Sequence, residues 1–97
     1  MRKVRISYVV WDKLDELTDY MVDEFKFPED AAMRRIDRLL EFLYSLSNPA
    51  DYVLCRFKRW RTLGYKCAVF ESWVFAYEVF GGGIIVHDMA HGATLIE

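Results

Sequence analysis

The spacing of apolar residues changes character twice along the chain, and those changes mark out its elements. Lys3 to Val10 alternates and is rich in Val, Ile and Tyr, which predicts a first strand that pairs into a sheet. From Asp12 the period becomes helical. Leu14, Leu17, Met21, Val22 and Phe25 form one stripe, while Asp12, Asp15, Glu16, Asp19, Asp23 and Glu24 make the other face acidic. Asp12 is the predicted N-cap, with the early carboxylates suiting the helix dipole. Lys26-Phe27-Pro28 interrupts the pattern, and Pro28 is placed to open a second helix at its first position. Ala32, Ile36, Leu39, Leu40, Leu43 and Leu46 are the buried stripe of that helix, which ends at Ser47-Asn48-Pro49. So short a connection predicts an antiparallel helical hairpin.

Beyond Asp51 the helical period disappears. Val53, Cys55 and Phe57 alternate with Leu54, Arg56 and Lys58, which predicts a strand with one apolar and one largely basic face. Thr62-Leu63-Gly64 is a turn. Tyr65, Cys67 and Val69 then alternate with Lys66, Ala68 and Phe70, and Glu71-Ser72 reverses the chain again. Trp73 to Phe80 is a more uniformly apolar strand, Gly81-Gly82-Gly83 a hairpin turn, and Ile84 to Met89 the last strand. The order is a strand, an αα-hairpin, then three to four antiparallel strands. This is an α+β fold in a single domain over residues 1–97, with the helices covering one face of one sheet.

Composition makes that fold affordable without staples: of 97 residues 54% are apolar, including seven Phe, six Tyr and three Trp. The N-terminal MRKVRISYVVW places basic residues before an apolar run, but Asp12 ends the run too soon for a signal peptide or a membrane span. The chain therefore reads as cytoplasmic, with no membrane partner. Cys55 and Cys67 are too few for a disulfide framework and lack companion metal ligands, so both read as small buried hydrophobes.

Charge changes the picture more. The formal net charge is −2, yet CRFKRWRTLGYK at 55–66 carries Arg56, Lys58, Arg59, Arg61 and Lys66 without one acidic residue. Residues 67–97 contain no Lys or Arg at all. A protein that coats nucleic acid non-specifically is basic throughout, so this local charge points to a site. Arg56 and Lys58 share a face of the predicted strand, Arg59 and Arg61 flank Trp60, and Lys66 returns on the next strand. Such groups can converge on phosphates while Trp60 or Tyr65 stacks on an unpaired base. The same cations suit an acidic protein partner, or guard a sheet edge against aggregation, and the residue types leave all three open.

Other candidate chemistry is weaker. The glycine run precedes a strand and not a helix, which makes it a hairpin and not a phosphate cradle. His87 and His91 on one strand stand roughly 13 Å apart, too far to share a metal, and no metal or cofactor is expected. His87, inside the strand, reads as a structural residue. A G-x-S-x-G elbow is absent, and Glu71 and Glu78 near strand ends read as solvated carboxylates.

Taken together, strand, helical hairpin and antiparallel strands, with Trp60-Arg61, Tyr65-Lys66 and a closing strand that runs Ile84-Ile85-Val86-His87-Asp88-Met89-Ala90-His91, resemble the RelE/ParE superfamily of bacterial toxins. The resemblance covers essentially the whole chain. It implies the toxin of a type II toxin–antitoxin system, neutralised by a cognate antitoxin protein. RelE-like members enter the ribosome and cleave mRNA without a metal, whereas ParE-like members inhibit DNA gyrase; a catalytically inactive relative binds only its antitoxin. Carried over by position, the resemblance implies Arg56, Arg61, Lys66 and His91 as catalytic residues. Together with the charge and aromatic pattern above, it makes Arg56, Lys58, Arg59, Arg61, Lys66, Trp60 and Tyr65 the expected RNA contacts. Two positions depart from the nuclease pattern: Val74 stands where nuclease members commonly carry an arginine, and Gly92-Ala93 stands where many place an arginine or tyrosine.

Overall fold

The first strand stops earlier than its alternation predicts, because Ser7 turns the chain into a helix. In the computed structural model, which describes residues 3–46 and 54–92, β1 spans Lys3–Ile6 and α1 spans Tyr8–Asp23. The Ser7 Oγ accepts from the Val10 amide at 3.4 Å and donates to the His87 carbonyl at 3.0 Å. Ser7 is therefore the N-cap. Asp12, the expected cap, lies exposed inside the helix. Val10, Leu14 and Met21 form the buried stripe, whereas Phe25, expected to join it, lies beyond the helix and is exposed.

The second helix, α2, spans Glu29–Ser45. Pro28 is its cap and not its first residue, with Glu29 and Asp30 in the first turn where the dipole favours them. Ala32, Ile36, Leu39, Leu43 and Leu46 are buried as their spacing predicts, and Leu40 is partly so. The Ser47-Asn48-Pro49 stop, Val53 and Ala93 lie outside the described residues.

The described residues 54–58 do not form the basic strand expected over 53–58. Leu54 makes one isolated antiparallel bridge to Lys66, and the chain then winds into a single turn, α3 (Lys58–Arg61). The reason is packing: alternation there reflects a loop laid on a sheet, with Cys55 and Trp60 buried beneath it. Three further strands follow, β2 (Lys66–Phe70), β3 (Trp73–Phe80) and β4 (Gly83–His91). Both expected reversals form, with Glu71 at φ 55° in one and Gly81 at φ 58° in the other.

Strand order is β1-β4-β3-β2, and the sheet is mixed. β2, β3 and β4 are antiparallel, while β1 runs parallel to β4 in the register Lys3↔Gly83 to Ile6↔Val86. Parallel pairing is possible because the helical hairpin intervenes between those strands. Between β3 and β4 the partners step from Tyr77↔Val86 to Ala76↔Asp88, so His87 is the extra residue of a bulge.

Strand alternation gives the sheet two different faces. On one, Phe75, Tyr77, Ile84, Val86 and Met89 join the helical stripes in the main core, with Ala68 and Phe70 at its margin. Burial there pushes the Tyr77 phenol above its usual range by desolvation. On the other, Val74 and Ala76 meet Cys55 and Trp60 in a second, smaller core. The helices thus cover one face, and the basic segment covers part of the opposite one.

Cys55 and Cys67 are joined in a disulfide, which corrects the expectation of two separate thiols. The Leu54–Lys66 bridge and the bond from the Cys55 amide to the Tyr65 carbonyl (2.9 Å) bring the two strand-like segments side by side. Their Cα atoms are then 4.8 Å apart, within disulfide range. Burial was read correctly for Cys55, at 1% exposure, but its neighbour was not. The cysteines consequently give no support for a reducing compartment. Among the described residues no helix is long and apolar enough to cross a membrane.

Candidate functional site

α3 is too short to stand alone, and Trp60 is what fixes it. Its indole is 3% exposed, edge-on to Phe57 at 6.0 Å, and packed on Val74 and Ala76. Trp60 is therefore an anchor, and the expectation that it stacks on an RNA base is corrected by its burial. Arg59 lies over that indole at 4.9 Å and reaches Asp88 of β4 at 3.6 Å. Asp88 also accepts from Lys13 Nζ at 2.6 Å and from the Met89 amide at 2.8 Å. One carboxylate thus links α1, β4 and α3. Arg59 is committed to that link as much as to solvent.

Tyr65 is likewise partly engaged. Its ring stacks on His87 at 4.5 Å with planes 6° apart, and His87 Nε2 lies 3.0 Å from Glu78 Oε1. One face of Tyr65 is taken by the bulged histidine, whose structural reading holds. Glu78, read as a solvated carboxylate, is instead the partner of His87. Glu71, read the same way, pairs with Arg38 at 3.5 Å.

Arg56, Lys58, Arg61 and Lys66 have no ion-pair partner among the described residues. Arg56 lies over the Phe57 ring at 5.6 Å. Below it opens a cleft of about 740 Å³, lined by Arg56, Glu71, Ser72, Val74, His91 and Gly92 among others. His91 ends β4 in register with Trp73, edge-on to that indole at 5.2 Å. The β2–β3 turn completes the wall, because pairing of Phe70 with Trp73 and of Trp73 with His91 sets Glu71-Ser72 beside the end of β4. The Gly92 amide donates to the Ser72 carbonyl at 2.8 Å, closing that corner.

Arg56 and His91 both line this cleft. His91 shares the parity of Met89 and the register of Trp73, which face the helices, and it also lines a cleft on that side. The other expected catalytic residues lie outside the cleft of Arg56. Arg61 is exposed on α3. Lys66 shares the parity of Ala68 and Phe70, which face the helices, and so points away from the cleft that Cys67 and Val69 line. Glu71 and Ser72 are the lining residues that sequence reasoning missed as chemistry. They were legible only as a turn, since their proximity to His91 depends on strand register. Among the described residues no group of three or more His, Cys, Asp or Glu is placed to hold a metal ion.

No protein-family model and no curated protein matches this chain. What sequence and structure define together is an α+β domain with a mixed four-stranded sheet, a helical hairpin on one face and, on the other, a largely apolar cleft with Arg56 at its wall.

Proposed function

We propose that this protein is the toxin of a type II toxin–antitoxin system, a RelE-like ribosome-dependent mRNA endoribonuclease. The observation that carries the reading is the shared cleft of Arg56 and His91, two residues from separate segments that the resemblance pairs functionally. Val74 and Gly92, the positions at which the chain departs from the nuclease pattern, line the same cleft.

RNA cleavage at such a site needs three things. The ribose 2′-hydroxyl loses a proton and its oxygen bonds to phosphorus; the phosphorane charge is stabilised; the 5′-oxygen leaves and gains a proton. Arg56 supplies the fixed cation at the phosphate. His91 accepts the 2′-proton and then returns it to the departing 5′-oxygen. The products are a 2′,3′-cyclic phosphate and a 5′-hydroxyl. Arg61 and Lys58, outside the cleft, hold the RNA backbone beside it, and the ribosome presents the transcript. The cognate antitoxin needs an acidic and apolar segment. Tyr20 and Phe25 at a second cleft of about 600 Å³, beside the helical hairpin, match its apolar part.

A ParE-like gyrase inhibitor is favoured by one observation: with Val74 and Gly92 in its wall, the cleft lacks the extra cation that nuclease members carry. Induced expression followed by mapping of mRNA ends separates the two. The nuclease reading expects cuts within translated codons bearing 5′-hydroxyl ends, reduced about 100-fold or more in Arg56→Ala and His91→Ala. Growth arrest by both variants without such cuts sinks it and makes a supercoiling assay the deciding measurement.

A further inference from the structure

The sheet face opposite the helices carries a second groove, built from β1, the start of β4 and the end of β3. Val4 and Ile6 pack against the main core, so Lys3 and Arg5 alternate onto the opposite face, as do Ile85 and Phe80. The register across the strands there is Lys3↔Gly83↔Phe80. Its central residue has no side chain, which leaves bare backbone between a cation and an aromatic ring. A Cβ on Gly83 would stand 3.0 Å from the Lys3 carbonyl oxygen, so this floor tolerates no side chain without moving β1. With strands about 4.8 Å apart, the flanking backbones are separated by roughly 10 Å.

Arg5 stands one row further along, opposite Ile85. The groove encloses about 470 Å³ between Lys3, Arg5, Phe80 and the glycine turn. Lys3 and Arg5 are exposed and have no ion-pair partner among the described residues. Phe80 is 67% exposed. The carboxylate nearest along β3 on this face, Glu78, is taken up by His87 at 3.0 Å. Cations on an edge strand guard against aggregation by themselves. That role does not call for a large aromatic ring facing them across a bare glycine.

We propose that this groove binds one unpaired nucleotide of single-stranded RNA, its base stacked on Phe80 and its flanking phosphates held by Lys3 and Arg5. The choice of RNA rests on the function proposed above, but the site is separate from the cleft of Arg56 and His91.

The test is a titration of the isotope-labelled full chain with adenosine 3′,5′-bisphosphate, read by nuclear magnetic resonance. Amide shifts are expected at Gly81, Gly82, Gly83 and Ile85, together with shifts of the Phe80 ring protons. Phe80→Ala, an exposed position whose loss leaves the core intact, weakens that binding about tenfold, as stacking requires. Lys3→Gln with Arg5→Gln weakens it at least as much. Shifts confined to the residues around Arg56 and His91 overturn this site and leave the nuclease reading standing. Equal shifts with inorganic phosphate alone, unaffected by Phe80→Ala, also overturn it, since the groove is then a simple anion site.

Discussion

Tyr77 shows how one side chain sets a pH limit on the fold. Desolvation raises its phenol above the usual value of 10.0, while in the unfolded chain it titrates near that value. Below about pH 10 both states are protonated and the contribution of the buried ring is fully present. As pH climbs further the unfolded state ionises first, and stability falls until the folded-state value is passed. Urea unfolding of the wild type should therefore lose up to about 1.4 kcal/mol per pH unit from this group on the alkaline side. Tyr77→Phe should flatten that limb; an equally steep limb in the variant would assign the loss elsewhere. At this same scale Trp60 marks what sequence leaves ambiguous. An indole between two arginines fits an exposed stacking platform and a buried anchor equally well, and only the sheet beneath it decides.

Among the elements, the two main helices and the antiparallel strands were legible because each carries a periodic apolar stripe that packs, wholly or in part, against the cores. Boundaries and the basic segment were not. Val9 and Val10 continue the apolar run of β1 but belong to α1, whose start is set by a hydroxyl that also reaches the carbonyl of His87. Ser7→Ala should accordingly cost about 1 kcal/mol, whereas Asp12→Ala should be nearly neutral, with thermal or urea unfolding to compare them. If Asp12 proves the costlier, the cap is misassigned. Residues 54–57 mimic a strand because Cys55 and Phe57 both meet the sheet, yet the hydrogen bonds of the segment up to Tyr65 are largely those of turns. The disulfide holds this segment to β2 across a sequence separation of 12. Breaking it with Cys55→Ala and Cys67→Ala together should cost about 3 kcal/mol on the chain-entropy account. Unfolding of the parent with and without reductant checks the figure, and identical curves would mean that the bond contributes nothing.

At the level of the whole molecule, the candidate cleft exists only because three separated segments meet. Arg56 comes from the segment pinned by Trp60 and the disulfide, Glu71-Ser72 from the β2–β3 turn, and His91 from the end of β4. Sequence carried the residue types, and in part their resemblance to a toxin family. It could not carry the parity that sends Lys66 to the helical side or the register that sets Glu71 near His91. The pairing of β1 with β4 has a temporal consequence as well. Lys3 must find Gly83, so the earliest strand to be synthesised waits for the latest before it has a neighbour in the sheet. Closing so long a loop is entropically costly early and cheap once the rest has condensed. β1 should therefore dock after the rate-limiting barrier. Val4→Ala should speed unfolding in stopped-flow measurements while leaving the refolding rate almost unchanged. A comparable slowing of refolding would place β1 in the nucleus instead. Until that docking occurs the cations of β1 have no fixed place beside Phe80, so the groove between them is among the last features of the molecule to be born.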